Sequence, residues 1–251
     1  MRILTNKKAK KLIIALAVVI LTVGIIAGAC TIYVSDYYRA DLIAVAAHAE
    51  ECEGYACISF PDEKTAVFAP DGATKGLIFY PGGKVEFTSY LPLMAACAEQ
   101  GILCVLVEMP ANLAVLDINA ADRIIGEYPE IESWYVGGHS LGGSMAASYL
   151  SKHPNELDGL ILLGSYSTAD LTTLGAEVLS VYGSEDGVMN REKYEKYAIN
   201  LPQGYEEFII EGGCHAYFGM YGEQDGDGQA TVTPTEQISI TAEKIAKFIL
   251  E

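Results

Sequence analysis

The sequence predicts an α/β chain built on a doubly wound, mostly parallel sheet, and three observations carry that prediction. Short apolar runs recur through residues 76–210 without polar alternation, the pattern of strands buried on both faces. Segments with helical apolar spacing separate most of them, as crossovers between parallel strands require. At residues 134–149, WYVGGHSLGGSMAASY, an apolar run meets a glycine-rich turn around Ser140, and small residues then follow at helical spacing. That stretch reads as strand, sharp turn and helix.

Taken in order, residues 36–50 have the apolar spacing of a helix and are expected to form a stalk or a first helix. Residues 57–60 and 65–69, separated by Pro61-Asp62-Glu63-Lys64, are expected to pair as an antiparallel hairpin. A strand at 76–80, a helix at 90–100 and a strand at 102–107 follow, then a helical stretch at 120–127. The strand at 134–137 delivers Ser140 to the turn, and the helix 141–152 leaves it. Strands at 160–163 and 178–182 have only residues 164–177 between them. A helix at 191–199, a strand at 207–210 and an amphipathic helix at 236–250 close the chain.

The 251 residues suffice for one large domain, and 51% apolar with 20% charged residues excludes the disordered class. Arg2, Lys7, Lys8, Lys10 and Lys11 precede an uncharged apolar run at 12–29 that extends nearly to Asp36. This length matches a bilayer core better than a cleaved signal of about 7–15 apolar residues. The cations in front place the amino terminus in the cytoplasm and the body outside. Ala27-Gly28-Ala29 also fits a cleavage site, and Cys30 a lipid-modified first residue, so cleavage and lipidation are the alternatives to a retained anchor. The expected organisation is a basic segment at 1–11, a transmembrane signal-anchor at 12–34, a stalk and connector at 35–56 and a catalytic domain at 57–251. Residues 1–11 hold five of the 16 basic residues and no acidic one, which leaves 11 against 33 and a balance of −22 for the remainder. Such a body repels nucleic acid at long range, so no nucleic-acid partner is expected.

Cys97 and Cys104 lie in apolar contexts, whereas Cys52 and Cys57 bracket a short acidic loop where a disulfide and two free thiols are both open. Cys214 adjoins His215 without a second metal-like pair, and no metal or cofactor is expected.

Ligands sit at the carboxyl edge of such sheets, and three predicted strands end there in chemistry. A serine hydroxyl attacks at neutral pH only if an imidazole takes its proton, and the imidazole needs a carboxylate to fix its tautomer. Ser140 as nucleophile, Asp186 as acid and His215 as base occur in that order, each just past a strand. His48, His139 and His153 fall in a stalk helix, at the variable position of the turn and at a helix end. Glu185, Asp158 and Asp170 are the alternatives for the acid. Gly138-His139-Ser140-Leu141-Gly142 fits G-x-S-x-G, whose glycines admit close backbone approach. The Leu141 N–H, at the helix start, and the Gly83 N–H in Pro81-Gly82-Gly83-Lys84 are the expected oxyanion donors, with the Lys84 N–H a rival for the second. The Lys84 ammonium is either a substrate contact or a salt-bridge partner of Glu86. Asp225-Gly226-Asp227-Gly228 lacks the spacing and terminal glutamate of a calcium loop. Residues 216–233 are read as a loop over the site mouth, with Tyr217 and Phe218 as pocket walls.

GGHSLGG at 137–143, YPGGKVE at 80–86, YGSEDG at 182–187 and GGCHAYFGMYGEQDGDG at 212–228 together resemble the compact serine hydrolases of the α/β-hydrolase superfamily, distantly similar to dienelactone hydrolases. The resemblance covers residues 57–251 and implies an eight-stranded type of sheet with Ser140, Asp186 and His215 as triad. Dienelactone hydrolases carry cysteine where this chain has Ser140, so their substrate is not implied. The short 164–177 segment leaves no room for a large cap. The expected activity is a membrane-anchored, extracytoplasmic serine hydrolase that cleaves a small or short-acyl carboxylic ester through an acyl-enzyme. Acyl transfer or amide cleavage by the same triad, and a non-catalytic envelope binding protein on the same fold, are the alternatives.

Overall fold

A computed structural model describes residues 7–251, so residues 1–6 of the basic segment, Arg2 among them, lie outside the described residues. The chain divides into two compact units at Tyr37 and Tyr38. The first contains helix α1 (Lys7–Ser35). Its apolar stretch Lys10–Ser35, 26 residues long, spans about 39 Å at ~1.5 Å per residue. That is long enough for a hydrocarbon core of about 30 Å, consistent with a transmembrane anchor.

The second unit, Tyr38–Glu251, is an α/β fold built on one eight-stranded sheet. Its strands are β1 (Ile58–Asp62), β2 (Thr65–Phe68), β3 (Lys75–Tyr80), β4 (Leu103–Val107), β5 (Ser133–His139), β6 (Gly159–Leu163), β7 (Glu177–Gly183) and β8 (Glu206–Ile210). They form one sheet in the order β1-β2-β4-β3-β5-β6-β7-β8. The pairs β1 with β2 and β2 with β4 are antiparallel, and all other pairs are parallel. The expected hairpin is therefore present, with Asp62 opposite Thr65.

Side chains alternate across the strands, so Leu77 and Phe79 enter one core while Ile78 and Tyr80 enter the other. The first core is covered by α3 (Leu91–Glu99) and α6 (Pro234–Leu250), the second by α4 (Leu141–Leu150). A capping box between Thr233 and Glu236, with Pro234 in the first turn, starts α6. Between β7 and β8 lies α5 (Arg191–Tyr197).

Two expectations change. The helical stretch at 120–127 is a pair of 3-10 turns, Ala120–Arg123 and Ile125–Glu127, neither with a side-chain cap. A segment this short does not sustain an α-helix alone, and the Tyr80 hydroxyl shapes it instead. That hydroxyl donates to the Ile118 carbonyl at 2.9 Å and accepts the Ala121 N–H at 3.0 Å. The expected stalk is a short helix, α2 (Leu42–Glu51), capped by the Asp41 carboxylate. Val45 is buried in the body's core, and Tyr38 exchanges backbone hydrogen bonds with Lys84 and Glu86. Residues 38–56 thus belong to the compact body.

The chain leaves β3 for β4 on one side and returns to β5 on the other. The ends of β3 and β5 are neighbours, with Tyr80 opposite Gly138, and this reversal of strand order is where such sheets open a crevice.

Candidate active site

The site starts from a backbone that only close packing permits. Ser140 has φ 51° and ψ −118°, a left-handed conformation that costs a non-glycine residue about 1–3 kcal/mol. The surrounding bonds hold it there. The Ser140 N–H donates to the Leu163 carbonyl at 2.9 Å, and its own carbonyl accepts the Ser144 N–H at 3.2 Å and the Ser165 hydroxyl at 2.7 Å. A Cβ built on Gly142 would fall 2.1 Å from the Tyr80 carbonyl oxygen, and one on Gly138 2.5 Å from the Gly142 carbonyl carbon. The G-x-S-x-G glycines are therefore needed for the approach of α4 to the ends of β3 and β5.

Asp186 follows β7. Its Oδ1 accepts the N–H groups of Val188 at 3.0 Å and Met189 at 2.8 Å, and its Oδ2 accepts the Nδ1–H of His215 at 2.8 Å. Both side chains are shut away from solvent. With Nδ1 donating, Nε2 of His215 carries a lone pair. That Nε2 is buried and has no hydrogen-bond partner among the described residues, Ser140 Oγ included. Gly164 joins the three positions: it lines the cleft with Ser140, and a Cβ on it would fall 2.9 Å from His215 Nδ1 and 3.1 Å from Asp186 Oδ2. The His215 loop is also tied to α6, where Gln237 accepts the Cys214 N–H at 3.0 Å and donates to its carbonyl at 2.8 Å.

In the turn after β3, the Gly82 N–H donates to the Tyr90 hydroxyl and the Lys84 N–H to the Asn112 carbonyl at 2.7 Å. Among the described residues the N–H groups of Gly83 and Leu141 have no protein acceptor. Gly83 packs on Leu141, since a Cβ there would fall 2.9 Å from Leu141 Cδ2. The two expected oxyanion donors are neighbours, and the rival Lys84 N–H is occupied.

The cleft at Ser140 has a volume of about 250 Å³ and is lined by Leu141, Ser144, Gly164, Ser165, Tyr166, Val188, Met189 and Asn190. None of the three expected pocket residues lines it. Phe218 is fully buried with its ring 5.5 Å from that of His139, in the core behind the turn. Tyr217 lines a different cleft of about 430 Å³, with Cys214 and Asp227, that contains none of Ser140, Asp186 and His215. Lys84 stands at φ 59° in the turn, where its backbone holds Asn112 and Tyr38, and Glu86 accepts the Ala40 N–H at 3.1 Å. The cysteines are free, and Cys57 donates to the Gly54 carbonyl instead of bridging to Cys52. Burial and the Glu99 carboxylate push the Cys52 thiol up to about 12.

Sequence reasoning passed over His139. It is buried, and its ring lies 4.4 Å from that of His215. Burial and the adjacent imidazole hold its pKa well below the usual value, against a smaller opposing effect of the His215 backbone.

The sequence profile of the alpha/beta hydrolase family matches residues 76–239. Comparison with curated proteins gives no match. Among solved structures, the fold is similar to dienelactone hydrolase from Anabaena variabilis, with TM-score 0.53 and 16% identity over 73% of this chain and 88% of that one. A CIB-like hydrolase from Thermoplasma acidophilum aligns with TM-score 0.53 and 18% identity, over 76% of this chain and 97% of that one. The monoacylglycerol lipase of Paleococcus ferrophilus aligns with TM-score 0.57 and 14% identity, over 73% and 98%. At these identities the likeness is one of fold.

Proposed function

The chain belongs to the alpha/beta hydrolase family, and from that premise we propose that it is a membrane-anchored, extracytoplasmic serine hydrolase of short-acyl carboxylic esters. The observation that carries the reading is the buried His215 imidazole, which donates Nδ1–H to Asp186 and keeps Nε2 unpartnered near the strained turn of Ser140.

In this reading Ser140 Oγ attacks the acyl carbon as His215 Nε2 takes its proton. Asp186 fixes the tautomer and stabilises the imidazolium. The N–H groups of Gly83 and Leu141 receive the oxyanion, where the positive end of α4 adds to them. His215 then returns the proton to the leaving alcohol, and a water activated by the same nitrogen releases the acid from the acyl-enzyme. The hydrogen bond between Ser140 Oγ and His215 Nε2, not made in this structure, forms when substrate fills the site, since catalytic hydrogen bonds commonly reach their working geometry only in the complex. The 250 Å³ cleft favours a small acyl group. The cations ahead of the apolar run at 12–29 favour an outward-facing body.

Labelling with a fluorophosphonate tests the chemistry. The full chain in detergent is expected to label, and Ser140→Ala to abolish labelling. A folded chain that does not react speaks for a binding protein. Chromogenic esters graded by acyl length are expected to be cleaved fastest at short chains, and a preference for long chains would refute the assigned substrate class. Protease added to intact cells is expected to reach the body, and full protection would place it inside.

A further inference from the structure

Asp227 sits in the glycine-rich loop after His215 and belongs to none of the roles above. Its Oδ1 accepts the N–H of Gly187 at 3.0 Å, of His215 at 3.1 Å and of Gly228 at 2.9 Å, and its Oδ2 accepts the N–H of Ala216 at 2.8 Å. One carboxylate therefore grips the backbone of the base itself, its successor, and the residue directly after the acid. The loops around it leave no slack: a Cβ on Gly187 would fall 2.5 Å from the Gly226 carbonyl oxygen, and one on Gly228 2.0 Å from that of Glu185. Burial works against the charge, yet the four amides outweigh it and hold the carboxyl below its ordinary value. A solvated turn aspartate would not converge on the two loops that carry a proton relay.

We propose that Asp227 is a positioning residue that locks the Asp186 loop and the His215 loop in register, so that the imidazole keeps its orientation toward Ser140. The proposal rests on the serine-hydrolase reading. It requires that Asp227 act on turnover and not on substrate affinity, because it grips backbone behind the triad and lies outside the cleft that holds Ser140.

The test uses the full chain in detergent, with kcat and KM for a short chromogenic ester, the rate of fluorophosphonate labelling, and the far-downfield NMR resonance of the His215 Nδ1 proton. Displacing a catalytic group by about 1 Å costs roughly 100-fold. Asp227→Ala is expected to lower kcat and the labelling rate by about that factor while KM stays within about 2-fold, and to broaden the His215 resonance away. Asp227→Asn keeps an acceptor at the Oδ1 position but turns an NH2 toward the Ala216 amide. It should restore the resonance and recover about tenfold of the loss. If Asp227→Ala does not fold, Asp227→Asn decides: a rate about tenfold below wild type supports the clamp, and a wild-type rate overturns it. A folded Asp227→Ala with full rate and an intact resonance also overturns it. Failure of the wild type to label sinks the hydrolase reading instead, while the resonance still reports whether Asp227 orients His215.

Discussion

The Tyr90 hydroxyl lies 2.7 Å from Nδ1 of His139 and accepts the Gly82 N–H at 3.1 Å, so one buried phenol joins the turn after β3 to the turn that carries Ser140. The Tyr90 oxygen thus accepts from Gly82 and shares one proton with Nδ1 of His139, whose Nε2 is buried with no partner among the described residues. Burial raises the Tyr90 pKa far above the ordinary phenol, which keeps it neutral. Tyr90→Phe removes the partner of His139 Nδ1 and the acceptor of the Gly82 N–H inside the core. Each unsatisfied buried group costs about 1–3 kcal/mol, so urea denaturation should show a loss in that range or above. The loosened Gly82-Gly83 turn should lower kcat more than it changes KM, and an unchanged kcat would detach this pair from oxyanion binding.

His139 makes stability depend on pH. Its folded pKa lies well below 6.5 while the unfolded chain titrates near that value. Below about pH 6.5 the unfolded state therefore binds the extra proton, and stability falls with pH until the folded pKa is reached, by at most ~1.4 kcal/mol per unit. Above that window the group contributes no slope. Urea denaturation at pH 7 and pH 5 should show a smaller loss for His139→Asn than for wild type. Equal losses would mean that His139 is not the titrating group.

The sheet was readable in the sequence because strands buried on both faces announce themselves as apolar runs. Ser140, Asp186 and His215 were singled out because each follows a predicted strand, and of these the structure brings Asp186 and His215 into hydrogen-bond contact. The cleft walls were not readable. Val188, Met189 and Asn190 line it because the Asp186 carboxylate bends its own loop, an effect with no periodic trace. Tyr217 and Phe218 come just after Ala216, the residue next to His215, but the short turn Ala216–Phe218 rotates Phe218 into the core and Tyr217 toward another cleft. His139 reads as a variable position until Tyr90, 49 residues earlier, is placed against it.

Gly164 has φ +51°, and a side chain there would press on the bond between His215 and Asp186. Gly164→Ala combines backbone strain of about 1–2 kcal/mol with a contact on the imidazole. It should lose both stability and most of its kcat. Gly175 provides the control, since a Cβ there meets nothing within 4 Å and its φ is not positive. Gly175→Ala should be close to wild type in thermal melting and in turnover, and equal behaviour of the two variants would exclude the proposed clash.

The strain at Ser140 is held by a small hydroxyl network. Ser165 donates to the Ser140 carbonyl at 2.7 Å, while Ser144 donates to the Tyr166 carbonyl at 2.8 Å and lies 3.2 Å from the Ser165 oxygen. Ser165→Ala leaves the Ser140 carbonyl with the Ser144 N–H alone, at an expected cost of about 1 kcal/mol. The turn can then relax away from its left-handed conformation, and kcat should fall while KM holds. Because the two hydroxyls touch, Ser144→Ala and Ser165→Ala should not add: a double-mutant cycle should give a coupling of at least about 0.5 kcal/mol. Strict additivity in both melting and kcat would show that the network does not hold the Ser140 backbone.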